Sequence, residues 1–446
     1  MRSRMTKAIA GEAMSAGTVQ LPSFSENRIA RFAAIIVLYF LQGVPLGLTL
    51  VALPGWLAES GASPVEVGAF VGLAMLPWST KLFNGLIMDR YTFKPMGRRR
   101  SWILLSQAMM VAVLVAIVVV APGTGDIALL AGLCFALNLC VTFSDVAVDG
   151  MAVDLVPDDE RTAINSVMFA SQTSGVALSS FVAGQLLASG SLSSTAMVFA
   201  VMVACASLFV SVFRERPGER LLPWSEGSAS AICQSRQHGA WWPILSGVIR
   251  ATFAPRTLLF VIGFGLSCAY LAFSDAVNPT LAVQQLGWTS EEYASFMAAI
   301  NLVAAGFGLI LPIALVRWLG LRRAIVVQFL TLTTLAVSAG LSFPIWKQDV
   351  VFMALTSVLY VLSITLTISL IVWAMRICNP AIAASQFALF MAIPNLSRSL
   401  MSGNSGWLVE GGGYGATYLV VAAILVLGLT LCLLARVGDQ RVAADG

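Results

Sequence analysis

Residues 85–102, GLIMDRYTFKPMGRRRSW, form a short polar segment between two long apolar runs. The segment concentrates positive charge at five positions: Arg90, Lys94, Arg98, Arg99 and Arg100. Short loops rich in Lys and Arg between membrane-spanning segments stay on the cytoplasmic side of a membrane. The segment therefore predicts a spanning helix on each side of it and fixes the direction in which both helices cross.

The composition is that of an integral membrane protein. Apolar residues make up 58% and charged residues 11% of the 446-residue chain, and the mean hydropathy is +0.86. A soluble protein of this length could not bury so much apolar surface. The pI of about 8.7 does not indicate nucleic-acid binding, because the cations are sorted by topology rather than gathered in one patch.

Twelve apolar runs reach the length of about 20 residues that a membrane-spanning helix needs. They cover residues 30–54, 67–88, 102–121, 127–153, 161–188, 195–213, 257–280, 292–316, 323–342, 350–375, 381–407 and 415–436. With both termini cytoplasmic, only Lys347 lies outside, and Lys81 and Arg398 lie within spans. The other 23 of the 26 Lys and Arg then fall on the cytoplasmic side, the asymmetry that membrane topology follows.

A long polar segment divides the twelve spans six and six. The predicted organisation is a cytoplasmic tail at 1–28, an N-terminal six-helix half at 29–213, a cytoplasmic linker at 214–256, a C-terminal six-helix half at 257–436 and a cytoplasmic tail at 437–446. GASPVEVGAF follows the first span and GWTSEEYASF follows the seventh. Each predicts a turn and a helix N-cap, Ser63 or Thr289, before acidic residues of the first turn. The two halves are therefore parallel repeats.

The order Gly-x-x-x-Asp-Arg followed by Gly-Arg-Arg resembles the loop between helices 2 and 3 of the major facilitator superfamily. The long spacing from Arg90 to Gly97 resembles, more narrowly, the muropeptide permease (AmpG-like) family, which also includes acetyl-CoA and some siderophore carriers. Three further segments support this likeness: YFLQGVPLGL at 39–48, SDVAVDGMAVDLVPDDERTA at 144–163 and QFALFMAIPNLSR…GWLVE at 386–410.

The resemblance implies an all-α membrane protein with twelve transmembrane helices in two six-helix halves, the major facilitator superfamily fold. It also implies import of bulky cell-wall fragments or related amphiphiles, driven by the proton gradient. For the loop residues Asp89, Arg90, Gly97 and Arg98, it implies control of the inward-closed state. A pure topology signal is the alternative interpretation of the same loop.

Charged side chains inside predicted spans are candidates for proton coupling and gating, because charge is costly in a membrane. With a rise of about 1.5 Å per residue, Lys81, Asp145 and Asp149 fall toward the cytoplasmic side. Asp275 and Arg398 fall in the outer halves of their spans. We hypothesise that these two sets form two gates, each closed by ion pairing in one state of the transport cycle.

Roles within these two sets follow from their chemistry. Arg398 can also bind a substrate carboxylate or phosphate. Asp145 is the first candidate for protonation and Asp275 the second, because losing a cationic partner raises the pKa of an aspartate. Purely structural ion pairs are the alternative, and Asp149 could instead bond to Arg161 or to the cluster at 98–100.

Polar residues at the expected depth of a binding site are the candidates for substrate binding, because carriers bind near the bilayer midplane. Besides Arg398, the set consists of Tyr39, Gln42, Asn138, Gln172, Asn301 and Asn395. Tyr39 could supply an aromatic wall for a sugar ring, or simply pack. Buried amides need partners, so bonding between helices is the alternative for each of the five amides.

The sequence lacks the residues for enzymatic or metal chemistry within its spans. His238 is the only histidine, which excludes a multi-histidine metal site, and no G-x-x-x-x-G-K-[ST] motif is present. The seven cysteines contain no CxxC pair and are expected to be packing residues. We therefore expect no enzyme activity, no metal and no cofactor.

Together these features predict a secondary active transporter, a proton-coupled importer of muropeptide-like or similar bulky amphiphilic solutes across the inner membrane. Its expected partners are a small-molecule substrate, protons and the lipid bilayer, without nucleic acid, and a monomer is expected. Two alternatives stay open: a siderophore or acyl-CoA-type carrier of the same fold, and a non-transporting membrane assembly factor.

Overall fold

The computed structural model describes residues 23–157, 160–189, 191–235, 246–247, 249–250, 252–378 and 383–435. Within these ranges the chain is helical apart from its turns and loops, and a single isolated bridge joins Ser23 to Arg214. Most of the predicted N-terminal tail, much of the second half of the predicted linker and the predicted C-terminal tail lie outside the described residues.

Helices stand at all twelve predicted positions. The first half contains α1 (Arg28–Glu59), α2 (64–90), α3 (Arg100–Val120), α4 (Ile127–Leu155), α5 (Arg161–Ala188) and α6 (Leu192–Ser211). The second half contains α7 (Pro255–Gln285), α8 (Ser290–Leu319), α9 (Leu321–Leu341), α10 (Asp349–Ile377), α11 (383–412) and α12 (414–435). Gly413, with φ of 77°, separates α11 from α12, and a short helix, Ala231–Ser235, follows α6.

Nine helices in the described part of the chain are long and apolar enough to cross a membrane, and one of these, Gln386–Ala435, contains both α11 and α12. The two helices outside that set are α2 and α5. A 3₁₀ segment, Leu76–Thr80, interrupts α2, and α5 carries many Ser, Thr, Gln and Asn side chains. The helices outside the set are therefore irregular or polar, as are helices that line a path through a membrane protein.

The predicted N-caps of α2 and α8, Ser63 and Thr289, are confirmed by two capping boxes. In α2 the N–H of Glu66 donates to Ser63 Oγ, and the N–H of Ser63 donates to Glu66 Oε2 at 2.8 Å. In α8 Thr289 and Glu292 form the same reciprocal pair. Each box satisfies two backbone donors that the first helical turn leaves free, so the same local chemistry starts the equivalent helix in both halves.

Two central helices each contain an irregular turn in their second half. α1 contains a π-helical segment, Leu48–Ala52, and α7 contains another, Leu281–Gln285. Pro45 and Pro279 stand shortly before these segments, where the missing N–H and the ring of proline disturb the regular helix. Irregular turns of this kind are frequent at functional sites.

Burial separates inner helices from outer ones. α1 and α7 are 78% and 72% buried over their most apolar stretches, whereas α3 and α9 are 33% and 39% buried. The first pair therefore lies at the centre of the bundle, and the second pair presents most of its apolar surface outward, as lipid-facing helices do. The repeat relates α1 to α7 and α3 to α9.

The bundle has two chemically different ends. We call the end with the α2–α3 loop, residues 91–99, the basic end, and the end with the α1–α2 and α7–α8 turns the opposite end. Toward the opposite end, Ser399 Oγ donates to the carbonyl oxygen of Gly72 at 2.6 Å. A Cβ added to Gly406 would lie 2.2 Å from the carbonyl oxygen of Pro64. Small residues thus let α2 and α11 close the halves against each other there.

Candidate functional site

The second half contains an ion pair within its spanning helices, between Asp275 of α7 and Arg398 of α11. Arg398 donates from Nη2 and Nε to the same carboxylate oxygen, Oδ2, at 2.6 and 2.7 Å. Only 5% of the Asp275 side chain and 19% of the Arg398 side chain are exposed. Each charge is neutralised by a close partner, the condition under which charged groups are tolerated inside a membrane.

The first half contains a second ion pair, between Lys81 of α2 and Asp145 of α4. Lys81 Nζ lies 2.5 Å from Asp145 Oδ2 and 4.8 Å from the ring centroid of Trp78. The aspartate is 4% exposed and the lysine 19% exposed at their side chains. The lysine is therefore held both by a carboxylate and by the electron-rich face of an indole ring.

Asp149 lies one helical turn beyond Asp145 on α4. Its carboxylate accepts a hydrogen bond from the hydroxyl of Tyr39 in α1. Tyr39 is buried within a cluster of apolar side chains, so its ring packs against neighbouring helices and does not form an open wall in this conformation. The side chain of Arg161, the other proposed partner of Asp149, lies outside the described residues.

Neither ion pair crosses between the halves. Lys81 and Asp145 both belong to the first half, and Asp275 and Arg398 both belong to the second. A gate closed by ion pairing between the halves would need one partner from each. In this conformation each pair instead ties two helices of the same half together, at places where the chain carries charge inside the membrane.

Two of the five predicted amides form an uncharged counterpart of the Asp275–Arg398 pair. Gln172 of α5 donates from Nε2 to Gln42 Oε1 of α1 at 3.2 Å. The repeat makes α1 and α5 the equivalents of α7 and α11. Gln42 precedes the π-helical segment of α1 by six residues, and Asp275 stands at the same offset in α7. The repeat therefore places a neutral pair in one half and a charged pair in the other.

Two other amides bond to neighbouring helices. Asn138 of α4 donates to Thr49 Oγ1 of α1 at 3.3 Å. Asn301 of α8 accepts a hydrogen bond from the hydroxyl of Tyr360 in α10 at 3.1 Å. Each amide is nearly fully buried. In this conformation they hold helices together, the alternative that the sequence left open for them.

Trp78 is a candidate residue that sequence reasoning missed. Its indole N–H donates to Asn138 Oδ1 at 3.1 Å, and its carbonyl oxygen accepts a hydrogen bond from Asn395 Nδ2 of α11 at 3.2 Å. It stands in the 3₁₀ segment of α2, beside Lys81. The available signal was Pro77–Trp78 inside an apolar span, since proline predicts a break and an indole N–H needs a partner.

Ion pairs fix the α2–α3 loop to the ends of α2 and α4. Arg98 Nη2 lies 2.8 Å and Arg99 Nη1 lies 3.2 Å from Asp89 Oδ1. Near the end of α4, Asp154 Oδ2 lies 3.9 Å from Arg98 and 3.5 Å from Arg99. Arg90, by contrast, is exposed. The predicted loop residues therefore divide into a bonded group and one solvent-facing cation.

Glu215, in the predicted linker, anchors the same loop and was not identified from the sequence. Its carboxylate accepts hydrogen bonds from the backbone N–H groups of Arg98, Arg99 and Arg100 at 3.1, 2.9 and 2.8 Å. These donors begin α3, where N–H groups lack helical partners and negative charge is favoured. Gly97, with φ of 97°, leaves room, because a Cβ there would lie 2.5 Å from Glu215 Oε2.

The cations of the two interior ion pairs remain partly exposed. Lys81 and Arg398 each keep 19% of the side chain exposed, although the halves are closed toward the opposite end. Arg398 lies beside Tyr360 of α10 as well as Asp275 of α7. The two cations are therefore partly accessible in a conformation whose opposite end is closed.

Comparison with known proteins identifies the family. The sequence model of the Major Facilitator Superfamily matches residues 35–402. The anhydromuropeptide permease of Escherichia coli (strain K12) is 24% identical over 417 residues, covering 91% of this chain and 80% of the permease. The folate-biopterin transporter of Synechocystis sp. (strain ATCC 27184 / PCC 6803 / Kazusa) is 28% identical over 416 residues, covering 88% of this chain and 78% of that transporter.

Solved structures agree on the fold. The nucleoside transporter NupG matches with a TM-score of 0.68 at 15% identity, covering 91% of this chain and 98% of NupG. The D-xylose-proton symporter matches with a TM-score of 0.65 at 16% identity, covering 92% and 96%. The chain therefore belongs to the Major Facilitator Superfamily and is a multi-pass membrane transporter similar to the anhydromuropeptide permease.

Proposed function

We propose that this protein imports muropeptide-like solutes across the inner membrane in symport with protons, acting as a monomer. The observation that carries the proposal is the ion pair between Asp275 and Arg398, which joins two spanning helices of the second half and leaves 19% of the Arg398 side chain exposed. The similarity to the E. coli anhydromuropeptide permease, which extends over 91% of this chain, supports the cargo class.

Arg398 can exchange the carboxylate of Asp275 for a carboxylate of the cargo. Arg398 presents a planar fork that suits a carboxylate, and muropeptides carry carboxylates on their peptide part. Protonation of Asp275 removes its negative charge and leaves Arg398 to bind the solute anion. Loss of that proton restores the pair and displaces the anion, so proton and solute move together.

Lys81 and Asp145 form the second site in this proposal. A lysine held by one aspartate and an indole ring loses its closest anion when Asp145 takes up a proton. The freed ammonium can then hold a second anionic group of the cargo. We assign Asp149 and Tyr39 to the support of this site, since Asp149 stands one turn away and Tyr39 holds it.

The proposed orientation places the basic end in the cytoplasm. Short loops rich in Lys and Arg remain on that side, and the α2–α3 loop with its two flanking residues carries five of them at 90–100. The conformation described above is then inward-open, with the solute path facing the cytoplasm. The residues Asp89, Gly97 and Arg98 are assigned to control of the closure of this end, with Asp154 and Glu215 as the further partners of Arg98.

Uptake of a labelled anhydro-muropeptide into proteoliposomes tests the proposal. An inward proton gradient should drive accumulation, and an uncoupler should abolish it. The variant Arg398→Gln should lower accumulation at least tenfold, because it removes the charge that holds the cargo carboxylate, whereas Arg376→Gln, at an exposed cation of α10, should transport normally. Absence of muropeptide uptake, with uptake of labelled folate in the same vesicles, would contradict the cargo assignment and keep the fold.

A further inference from the structure

We infer that Gln284 is a positioning residue for the transport cycle, a helix cap supplied by one half to the other that holds the opposite end closed. This inference goes beyond the proposed function, because it concerns the contact that sets the balance between conformations and is independent of cargo and coupling ion.

The side chain of Gln284 crosses the interface between the halves. Its Nε2 donates to the carbonyl oxygens of Ala58 and Ala62 at 2.9 and 2.8 Å. Gln284 belongs to α7, whereas both acceptors lie where α1 ends and turns toward α2. The amide therefore bonds to two carbonyls of the same turn, and this side chain links the second half to the first.

The carbonyl of Ala58, in the last turn of α1, is a natural target for a donor. The last carbonyls of a helix lack helical partners and carry partial negative charge. α1 ends at Glu59, and Gly61, with φ of 90°, closes its last turn. The N–H of Gly61 donates to the oxygen of Ala58 at 3.1 Å, and Gln284 supplies a second hydrogen bond to that oxygen. The end of α1 is thus capped partly from within and partly from the other half.

The π-helical segment Leu281–Gln285 gives Gln284 its position. A π turn contains one residue more than an α turn, so the residues within it do not keep the angular positions of a regular helix. Leu281 and Ala282 are buried and fix the segment, while Gln284 is exposed at the rim. The irregular turn therefore brings an exposed amide over the end of α1.

A second hydrogen bond supports the same contact. Ser290, the first residue of α8, donates from its hydroxyl to the carboxylate of Glu59, the last residue of α1. The carboxylate also lies near the N-terminus of α8, where negative charge is stabilised. Residues on both sides of the α7–α8 turn therefore form hydrogen bonds with the end of α1.

The contact has the strength that a reversible closure needs. Exposed hydrogen bonds each contribute a modest net free energy, because water replaces them when they break. The two bonds of Gln284 together correspond to a shift of about tenfold in the ratio of closed to open molecules. A fully buried ion pair at the same place would be costly to separate in every cycle.

Distance measurement between spin labels tests the inference. Ala128 and Val350 are exposed at the opposite end of the bundle, near the starts of α4 and α10. Each is replaced by a ketone-bearing amino acid that carries a spin label, so the native cysteines are not used. Double electron–electron resonance then reports the separation of the halves. Gln284→Leu should increase the population with separated labels about tenfold. Gln285→Leu, on the next residue of the same turn, should leave the distribution as in the unsubstituted protein.

Two further variants separate capping from packing. Gln284→Lys keeps a donor that suits helix-end carbonyls and should stay closed, whereas Gln284→Glu presents only acceptors and should open like the leucine variant. An unchanged distribution for both Gln284→Leu and Gln284→Glu would overturn the inference. Because the measurement uses neither cargo nor a proton gradient, its outcome is separate from that of the uptake assay.

Discussion

Asn395 and Trp78 meet across the interface between the halves: the side-chain amide of Asn395 donates to the carbonyl oxygen of Trp78 at 3.2 Å. The ring of Trp78 also lies 4.8 Å from Lys81 Nζ. Arg398 stands one turn further along α11, on the same helix as Asn395. The contact therefore joins the Lys81–Asp145 pair to the helix that carries the other ion pair.

Breaking this contact should weaken coupling between the two sites. Asn395→Leu keeps a similar volume but removes the donor, which costs about 1 kcal/mol, and we expect gradient-driven uptake to fall about fivefold. Asn404→Leu is the matched control, because Asn404 lies on the exposed side of α11 and bonds to Leu400 of its own helix. Equal losses in both variants would show that the Trp78 contact has no special role.

The Lys81–Asp145 pair should be far more sensitive to loss of one partner than to loss of both. Lys81→Met leaves the nearly buried carboxylate of Asp145 without its cation and should destabilise the fold by about 3 kcal/mol. The double variant Lys81→Met with Asp145→Leu should recover most of that loss. Thermal unfolding in detergent, arranged as a double-mutant cycle, measures the coupling. Additive losses would contradict a direct interaction.

Glu215 should hold the linker against the α2–α3 loop. Burial raises the pKa of the Cys233 thiol to about 11, so this cysteine, close to the carbonyl of Lys94, reacts slowly with maleimide at neutral pH. Glu215→Ala should release the segment and accelerate labelling of Cys233 up to about 100-fold, as exposure lowers the pKa toward that of a free thiol. Peptide-level mass spectrometry measures the rate at which Cys233 is labelled.

The control for the linker experiment is Glu226→Ala, because Glu226 is exposed in the same segment. Its Cys233 should label as slowly as in the unsubstituted protein. Slow labelling in the Glu215 variant as well would mean that the segment stays in place without the three hydrogen bonds to the start of α3.

Glu219 should make stability fall as the pH rises through the mildly acidic range. Burial raises the pKa of Glu219, although hydrogen bonds from Ser230 and the N–H of Arg216 oppose the shift. As the pH rises above the ordinary pKa of glutamate, Glu219 therefore ionises in the unfolded chain before it ionises in the folded protein. This difference favours unfolding increasingly until the pH passes the pKa of Glu219 in the folded protein.

The variant Glu219→Gln cannot ionise and keeps an acceptor for the backbone of Arg216. Its unfolding temperature, measured in detergent from pH 4 upward in small steps, should decline less over this window than that of the unsubstituted protein. Parallel pH profiles for the two proteins would contradict an ionisation of Glu219 that is coupled to folding.

Local signals in the sequence accounted for most of the helical architecture. Hydropathy runs predict all twelve helices, and Ser63 and Thr289 are predictable as N-caps because a capping box lies within four residues of chain. Axial depth could also be counted along each span. Lys81 was therefore grouped with Asp145, and the structure brings these two residues into contact.

Relationships around the helix axes could not be read from the chain. Whether an ion pair joins two halves or lies within one depends on how helices rotate and pack, and both pairs prove to lie within one half. Glu215 contacts residues more than a hundred positions away, so no local sequence pattern predicts its role. Gln284 depends on a π turn, which neighbouring residues alone do not specify.

The central claim is that protonation of Asp275 drives transport by freeing Arg398 for the cargo. The most direct measurement compares gradient-driven accumulation with counterflow exchange of a labelled anhydro-muropeptide in proteoliposomes containing Asp275→Asn. Counterflow requires only that the carrier alternate with cargo bound, so the account predicts that it persists while accumulation in response to a proton gradient is lost. Accumulation at the level of the unsubstituted protein would contradict the account.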